Sequence, residues 1–142
     1  MTQLSIEHAR TIISAGFAKA MAEGFKPLAI LVLDAGGHPL AFERQDGASF
    51  GRFDVANGKA RAAIAMGVGS RTLDSMARDR PHFMSGLVGA FGGTVVPVPG
   101  GVLVTDQTGA VIGAVGVSGD TSDNDETAAV AGIEGAGLVA LV

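Results

Sequence analysis

Side chains able to do chemistry are few in this chain, and they fall in separate stretches. Arg44 and Asp46 stand in "ERQDGA". The planar fork of Arg44 matches the two oxygens of a carboxylate, and a surface ion pair with Asp46 is the competing reading. Lys59 and Arg61 stand in "ANGKARAA". Two apart on a helix, they point in different directions, so at most one faces a common site; for Lys59 the alternative is a snorkelling surface lysine.

The stretch "VIGAVGVSGD" (111–120) is followed at once by "TSDNDE". Val111, Ile112, Val115 and Val117 favour a strand, while Gly113, Gly116 and Gly119 remove side chains so that a helix or a ligand can approach the backbone. Two readings stand: close helix–sheet packing plus a helix cap, or a ligand lying on the glycine surface beside Ser118. Asp123 and Glu126 have the D-x-x-E spacing of a helix start, with Asp123 as the expected N-cap. Asp120, Asp123, Asp125 and Glu126 are rich in oxygen, but their spacing is not that of a calcium loop, and the cap accounts for two of them, so no metal is expected. Ser118 lacks the G-x-S-x-G setting of a hydrolase nucleophile.

These residues need elements to position them. The 142 residues suit one domain, 1–142, with a sizeable core. Ile6, Ala9, Ile13, Phe17 and Ala20 recur at helical spacing over Leu4 to Gly24, with Ser5 as cap. Leu28 to Leu33 is an apolar run for a doubly covered strand, and Asp34-Ala35-Gly36-Gly37 turns it into a partner strand, "PLAFERQ". A helix with an alanine-rich face is expected from Phe50 to Gly67, and a shorter one from Ser70 to Arg80 stopped by Pro81. Three further strands are expected in "TVVPVPGGVLVTD", where Pro97 and Pro99 rule out a regular central strand and suggest an edge or a bend, and in the glycine-broken stretch, then a last helix from Asp123. Hairpin-linked strands with interspersed helices imply an α+β fold with a mostly antiparallel sheet.

Composition narrows the function classes. Ten basic residues form no run and the net charge is −4, so no nucleic-acid partner is expected. With no cysteine, disulfides, zinc ribbons, iron–sulfur clusters and thiol catalysis are excluded. "MTQLSIEHAR" lacks a signal-peptide pattern, and no apolar run is long enough to span a membrane, so a cytoplasmic protein is expected. Charged residues are only 17%, which implies surface buried in a homo-oligomer.

"VLDAGGHPLAFERQDGA", "ANGKARAA", "FGGTVVPVPGGV" and "VIGAVGVSGDTSDNDE", in this order, resemble the successive blocks of the GlcG/HbpS-like family, which is related to the C-terminal domain of PduO-type proteins. The resemblance implies a profilin-like fold of five antiparallel strands with helices on both sides, assembly into oligomers such as octamers, and, in some members, haem as ligand. It also makes Lys59, in the "KA" block, the candidate of its helix.

Haem iron commonly takes an imidazole. His8 is expected to be a partly exposed helix residue, His38 lies in a hairpin turn, and His82, in "RPHFM", sits at the edge of a loop beside Phe83 and Met84. Of these, His82 is the candidate. With no Trp or Tyr, stacking on a flat ligand falls to Phe42, Phe50, Phe53, Phe83 and Phe91. Binding of haem or a similar planar ligand by Arg44, Asp46, Lys59, His82, Gly116, Ser118 and Gly119 is the first functional expectation. A cofactor-independent enzyme for a small oxo- or hydroxy-acid is the alternative: Arg44 would hold the carboxylate, and Lys59, His82 or Asp120 would move a proton.

Overall fold

The computed structural model describes residues 2–142. Helix α1 (Ile6–Glu23) begins where the Ser5 hydroxyl accepts the His8 N–H at 3.1 Å and His8 Nδ1 accepts the Ser5 N–H at 3.2 Å, so a histidine closes the capping box. It ends at Gly24, whose φ of 71° suits a residue without a Cβ. Strands β1 (Ala29–Asp34) and β2 (Pro39–Arg44) form the expected hairpin. Then come α2 (Arg52–Met66), α3 (Ser70–Asp79), α4 (Pro81–Ala90), β3 (Gly101–Thr105), β4 (Val111–Ser118), α5 (Ser122–Gly135) and β5 (Val139–Leu141).

The five strands form one antiparallel sheet in the order β2-β1-β4-β3-β5. Strand alternation splits the core between its two faces. Ile30, Val32, Val102, Val104, Val115 and Val117 pack against Ile12, Ile13 and Ile133 of α1 and α5. Leu31, Leu33, Leu103 and Ala114 pack against Ala56, Ala60 and Ala63 of α2. Each buried Val, Leu or Ile stabilises the fold by about 1.5–3 kcal/mol. The result is α+β, as expected, and consistent with a profilin-like fold. No helix among the described residues is long and apolar enough to cross a membrane.

Four local expectations change. Thr94 to Gly100 form no strand: Pro97 and Pro99 have no N–H to give a ladder, and Val96 N–H instead donates to the Gly58 carbonyl on α2. The fifth strand is β5, after the last helix. Pro81 does not only stop α3; it occupies the first position of α4, where its missing N–H costs nothing. His82 is therefore a helix residue, not a loop residue. Finally, α5 is capped by the Thr121 hydroxyl, which accepts the Asn124 N–H at 3.2 Å; Asp123 and Glu126 turn outward to bind Arg71 of α3.

Candidate functional site

Arg44, Ala29 and Ser118 lie in one register row across β2, β1 and β4, so the end of the sheet gathers several of the candidate residues. The chain leaving β2 is pinned there. Gln45 N–H donates to the Leu28 carbonyl at 2.9 Å, and Leu28 N–H donates to Gln45 Oε1 at 2.7 Å. Arg44 and Asp46 are both exposed, and no ion pair joins them among the described residues.

Beside this row lies a groove of about 550 Å³. Its apolar wall is Phe17 and Met21, one turn apart on α1, continued by Phe25 and Pro27. Glu43, Arg44 and Asp46 form the charged rim. The size lies within the range of small-molecule sites, and so does the pairing of an apolar wall with a few polar groups. None of the five expected phenylalanines lines it. Phe42 packs edge-on against Phe53 with ring centroids 4.9 Å apart, Arg80 covers Phe83, Phe91 belongs to a small cluster under α3 and α4, and Phe50 is exposed elsewhere.

Gly116 of β4 is covered by protein, and Gly119, just past the strand, packs against Pro27 and Leu28 while staying partly open. A Cβ at Gly116 would overlap the Ala56 carbonyl of α2, and one at Gly119 would overlap the Pro27 carbonyl. Of the two readings of this stretch, close helix–sheet packing holds: the absent side chains admit α2. Ser118 is buried, its hydroxyl accepting from Arg52 Nη1 at 3.1 Å.

Lys59 is not a snorkelling surface lysine; it is sealed in. Its ammonium donates to Asp125 Oδ2 at 3.0 Å and to the Val117 carbonyl at 2.9 Å, while Asp125 Oδ1 accepts the Asp120 N–H. Burial pushes the Lys59 amine down and the Asp125 carboxyl up, and each charge opposes the shift of the other. Arg61 is exposed, as the spacing required.

Asp120 is spoken for. Its oxygens accept from Lys26 N–H at 2.7 Å, Thr121 N–H at 2.7 Å and Asn124 Nδ2 at 3.1 Å, and these bonds, the Lys26 one foremost, hold its pKa below the ordinary value. His82 is exposed on α4 and lines neither the groove nor a smaller hollow beside it, which Lys26, Arg52 and Gly119 help to line. His38 is exposed beside Asp34, and His8 serves the α1 cap. A second cavity of about 270 Å³ lies by Thr2, Leu4 and Ile112; Asp34, its one charged group, is bonded to the N–H groups of Gly36 and His38.

The structure thus brings Arg44 and Asp46 to one rim and Gly119 to the hollow beside it, and it separates them from Lys59, Gly116 and His82. Sequence reasoning missed Phe17, Met21, Phe25, Lys26 and Arg52. The only sequence signal for the wall was the Phe17–Met21 spacing followed by Phe25 just past the helix stop.

The family model described as haem degrading protein HbpS-like matches residues 4–134. Among solved structures, the PduOC:haem complex is 25% identical with a TM-score of 0.84, covering 94% of this chain and 95% of its own. The Klebsiella pneumoniae protein ORFY is 27% identical, with a TM-score of 0.85 and coverage of 96% and 93%. A double mutant of HbpS from Streptomyces reticuli is 27% identical, with a TM-score of 0.79 and coverage of 94% and 87%. No curated protein matches.

Proposed function

The chain belongs to the HbpS-like family, and from that premise we propose that it is a small-ligand-binding protein whose ligand is haem or a similar flat, acidic molecule held in the α1–β2 groove. The observation that carries this reading is the pairing of an apolar wall (Phe17, Met21, Phe25, Pro27) with a rim that contains Arg44, in about 550 Å³. A solved haem complex among its structural relatives supports the choice of ligand class.

The residues present fit such a ligand in size and apolar surface, with Arg44 the one cation on a rim that also carries Glu43 and Asp46. Phe17 and Phe25 offer apolar surface to a flat body, and Arg44 offers a bidentate partner for a carboxylate. Met21 is the lining residue with a donor of the kind haem iron takes, since no histidine lines the groove. When bound, haem supplies a redox-active iron.

Titration with hemin tests the proposal. A saturable Soret shift is expected for the native protein, weakened about tenfold in Arg44→Ala through the lost charge-assisted hydrogen bonds. Absence of any saturable shift overturns it.

The enzyme alternative draws less support from the geometry, because it needs a proton carrier beside the carboxylate holder. Lys59 is buried against Asp125, the oxygens of Asp120 are taken by three donors, and His82 stands on α4. We also propose that the chain self-associates, as far as the octamer that the resemblance implies. The supporting observation is the edge strand β5, where Val139 and Leu141 are exposed and Val142 follows them into solvent. Sedimentation at the mass of one chain overturns that.

A further inference from the structure

A second hollow of about 210 Å³ opens on the other side of Pro27 from the groove. The two share Pro27 and meet along the chain at the Asp46–Gly47 bond, Asp46 lining one and Gly47 the other. The smaller hollow is lined by Lys26, Gly47, Ser49, Arg52 and Gly119, with Ala48 and Pro27 completing it. Its only charged side chains are the two cations.

Neither cation is locked to a carboxylate, although Lys26 lies near Asp120 and Arg52 near Asp125. Among the described residues, neither Lys26 nor Arg52 takes part in an ion pair, whereas Lys19, Lys59, Arg71 and Arg78 each hold a carboxylate. Arg52 is half-buried and aimed by its bond to the Ser118 hydroxyl, which uses one of its five donors. Asp120 is already held by three donors and Asp125 by Lys59, and Asp46, next to Gly47, lines the groove rather than the hollow. Two cations lining one small hollow to which no acid contributes, on a chain of net charge −4, favour an oxyanion.

We propose that the Lys26–Arg52 hollow is an oxyanion subsite that receives a carboxylate arm of the ligand whose flat body lies in the groove. The placement rests on the groove reading above; the anion affinity of the hollow does not. It predicts which ligands the protein prefers: flat apolar molecules with at least one carboxylate on a short flexible arm, over their neutral esters.

Two measurements separate the claims. In the first, sodium propionate is titrated against the protein and the backbone amides of Ala48, Ser49 and Gly119 are followed by NMR. Saturable shifts are expected, weakened about tenfold or more in Arg52→Gln and in the exposed Lys26→Gln, and unchanged in Arg61→Gln, which removes the same charge from the outer face of α2. Shifts that do not saturate, or that persist equally in Arg52→Gln and Lys26→Gln, overturn the subsite. In the second, hemin is compared with its dimethyl ester by Soret titration. Hemin is expected to bind about tenfold more tightly, and the preference to shrink several-fold in Arg52→Gln, the remainder resting on Arg44 and Lys26. Equal binding of acid and ester, with propionate silent, overturns the subsite and leaves the groove; propionate binding without any hemin binding overturns the groove and leaves the subsite as a site for free carboxylates.

Discussion

Lys59 Nζ and Asp125 Oδ2 lie 3.0 Å apart, with both side chains 2% exposed. The pair joins the middle of α2 to the first turn of α5, and the Lys59 bond to the Val117 carbonyl adds the end of β4. Three elements from both sides of the sheet are thus tied at one point, near Arg52.

Removing one partner leaves the other charge buried without compensation. Asp125→Ala is expected to cost about 3–5 kcal/mol. Replacing both, as Lys59→Met with Asp125→Leu, is expected to recover most of that, because an apolar pair does not carry the desolvation penalty of two ions. Urea denaturation of Lys59→Met, Asp125→Leu and the double variant checks this; additive losses in the double variant contradict it.

The glycine of β4 that admits α2 gives a second expectation. Gly116→Ala forces the new methyl against the Ala56 carbonyl and the Ala60 side chain, so α2 must move off the sheet. The expected loss is about 1–3 kcal/mol, as for other overpacked cores. Gly86 is the contrast: it lies inside α4 with nothing within 4 Å of a Cβ, so Gly86→Ala is expected to stabilise by about 0.5–1 kcal/mol. Thermal melts of both variants read the opposite signs.

The same comparison shows which parts were legible in the sequence. Strand β1 and its hairpin were readable because an unbroken apolar run met unambiguous turn residues, and α1 because its cap and periodicity agreed. Helix α4 was not, since Pro81 reads equally as a stop or a start and Gly86 and Gly89 weaken any helical signal. In "TVVPVPGG" Pro97 and Pro99 speak against a regular central strand and for an edge or a bend, and only the choice between those two is open in the sequence; the chain bends there. Strand β5 is three residues long, too short for alternation to register. The Lys59–Asp125 pair spans 66 positions and has no local signature. The groove was missed for a related reason: Phe17 at helical spacing reads as core, and only the tertiary fold leaves the Phe17–Met21 edge of α1 open beside Arg44.

Acid should loosen the fold in a stated direction. The charged forms of Asp120, Asp106 and Asp34 are each held by hydrogen bonds, chiefly from Lys26 N–H, the Thr108 hydroxyl and His38 N–H, which keep all three below their ordinary value of 3.8. The unfolded chain therefore takes up protons first as pH falls. The stabilisation is complete above about pH 5 and is lost progressively as pH drops below about 4 toward the folded values. Asp125, raised by burial, acts with the opposite sign but is one group against three. Melting temperatures are expected to fall between pH 6 and pH 3, and the fall to be shallower in Asp120→Asn; an unchanged slope in that variant removes Asp120 from the account.

The position of the groove makes a sharp distinction between two side chains with iron-binding atoms. Met21 is 77% exposed on the groove wall, while His82 is exposed on α4, outside both hollows. Neither holds the fold together, so Met21→Gln and His82→Gln are each expected to leave stability within about 0.5 kcal/mol of the native protein. Their effects on hemin should differ. Replacing the Met21 thioether with an amide removes apolar surface and a soft donor from the wall, so hemin affinity is expected to fall several-fold and the visible spectrum to change. His82→Gln should leave both unaltered. If the histidine variant instead loses the Soret shift and the methionine variant keeps it, the ligand sits against α4 and the groove assignment fails, even though the protein binds hemin.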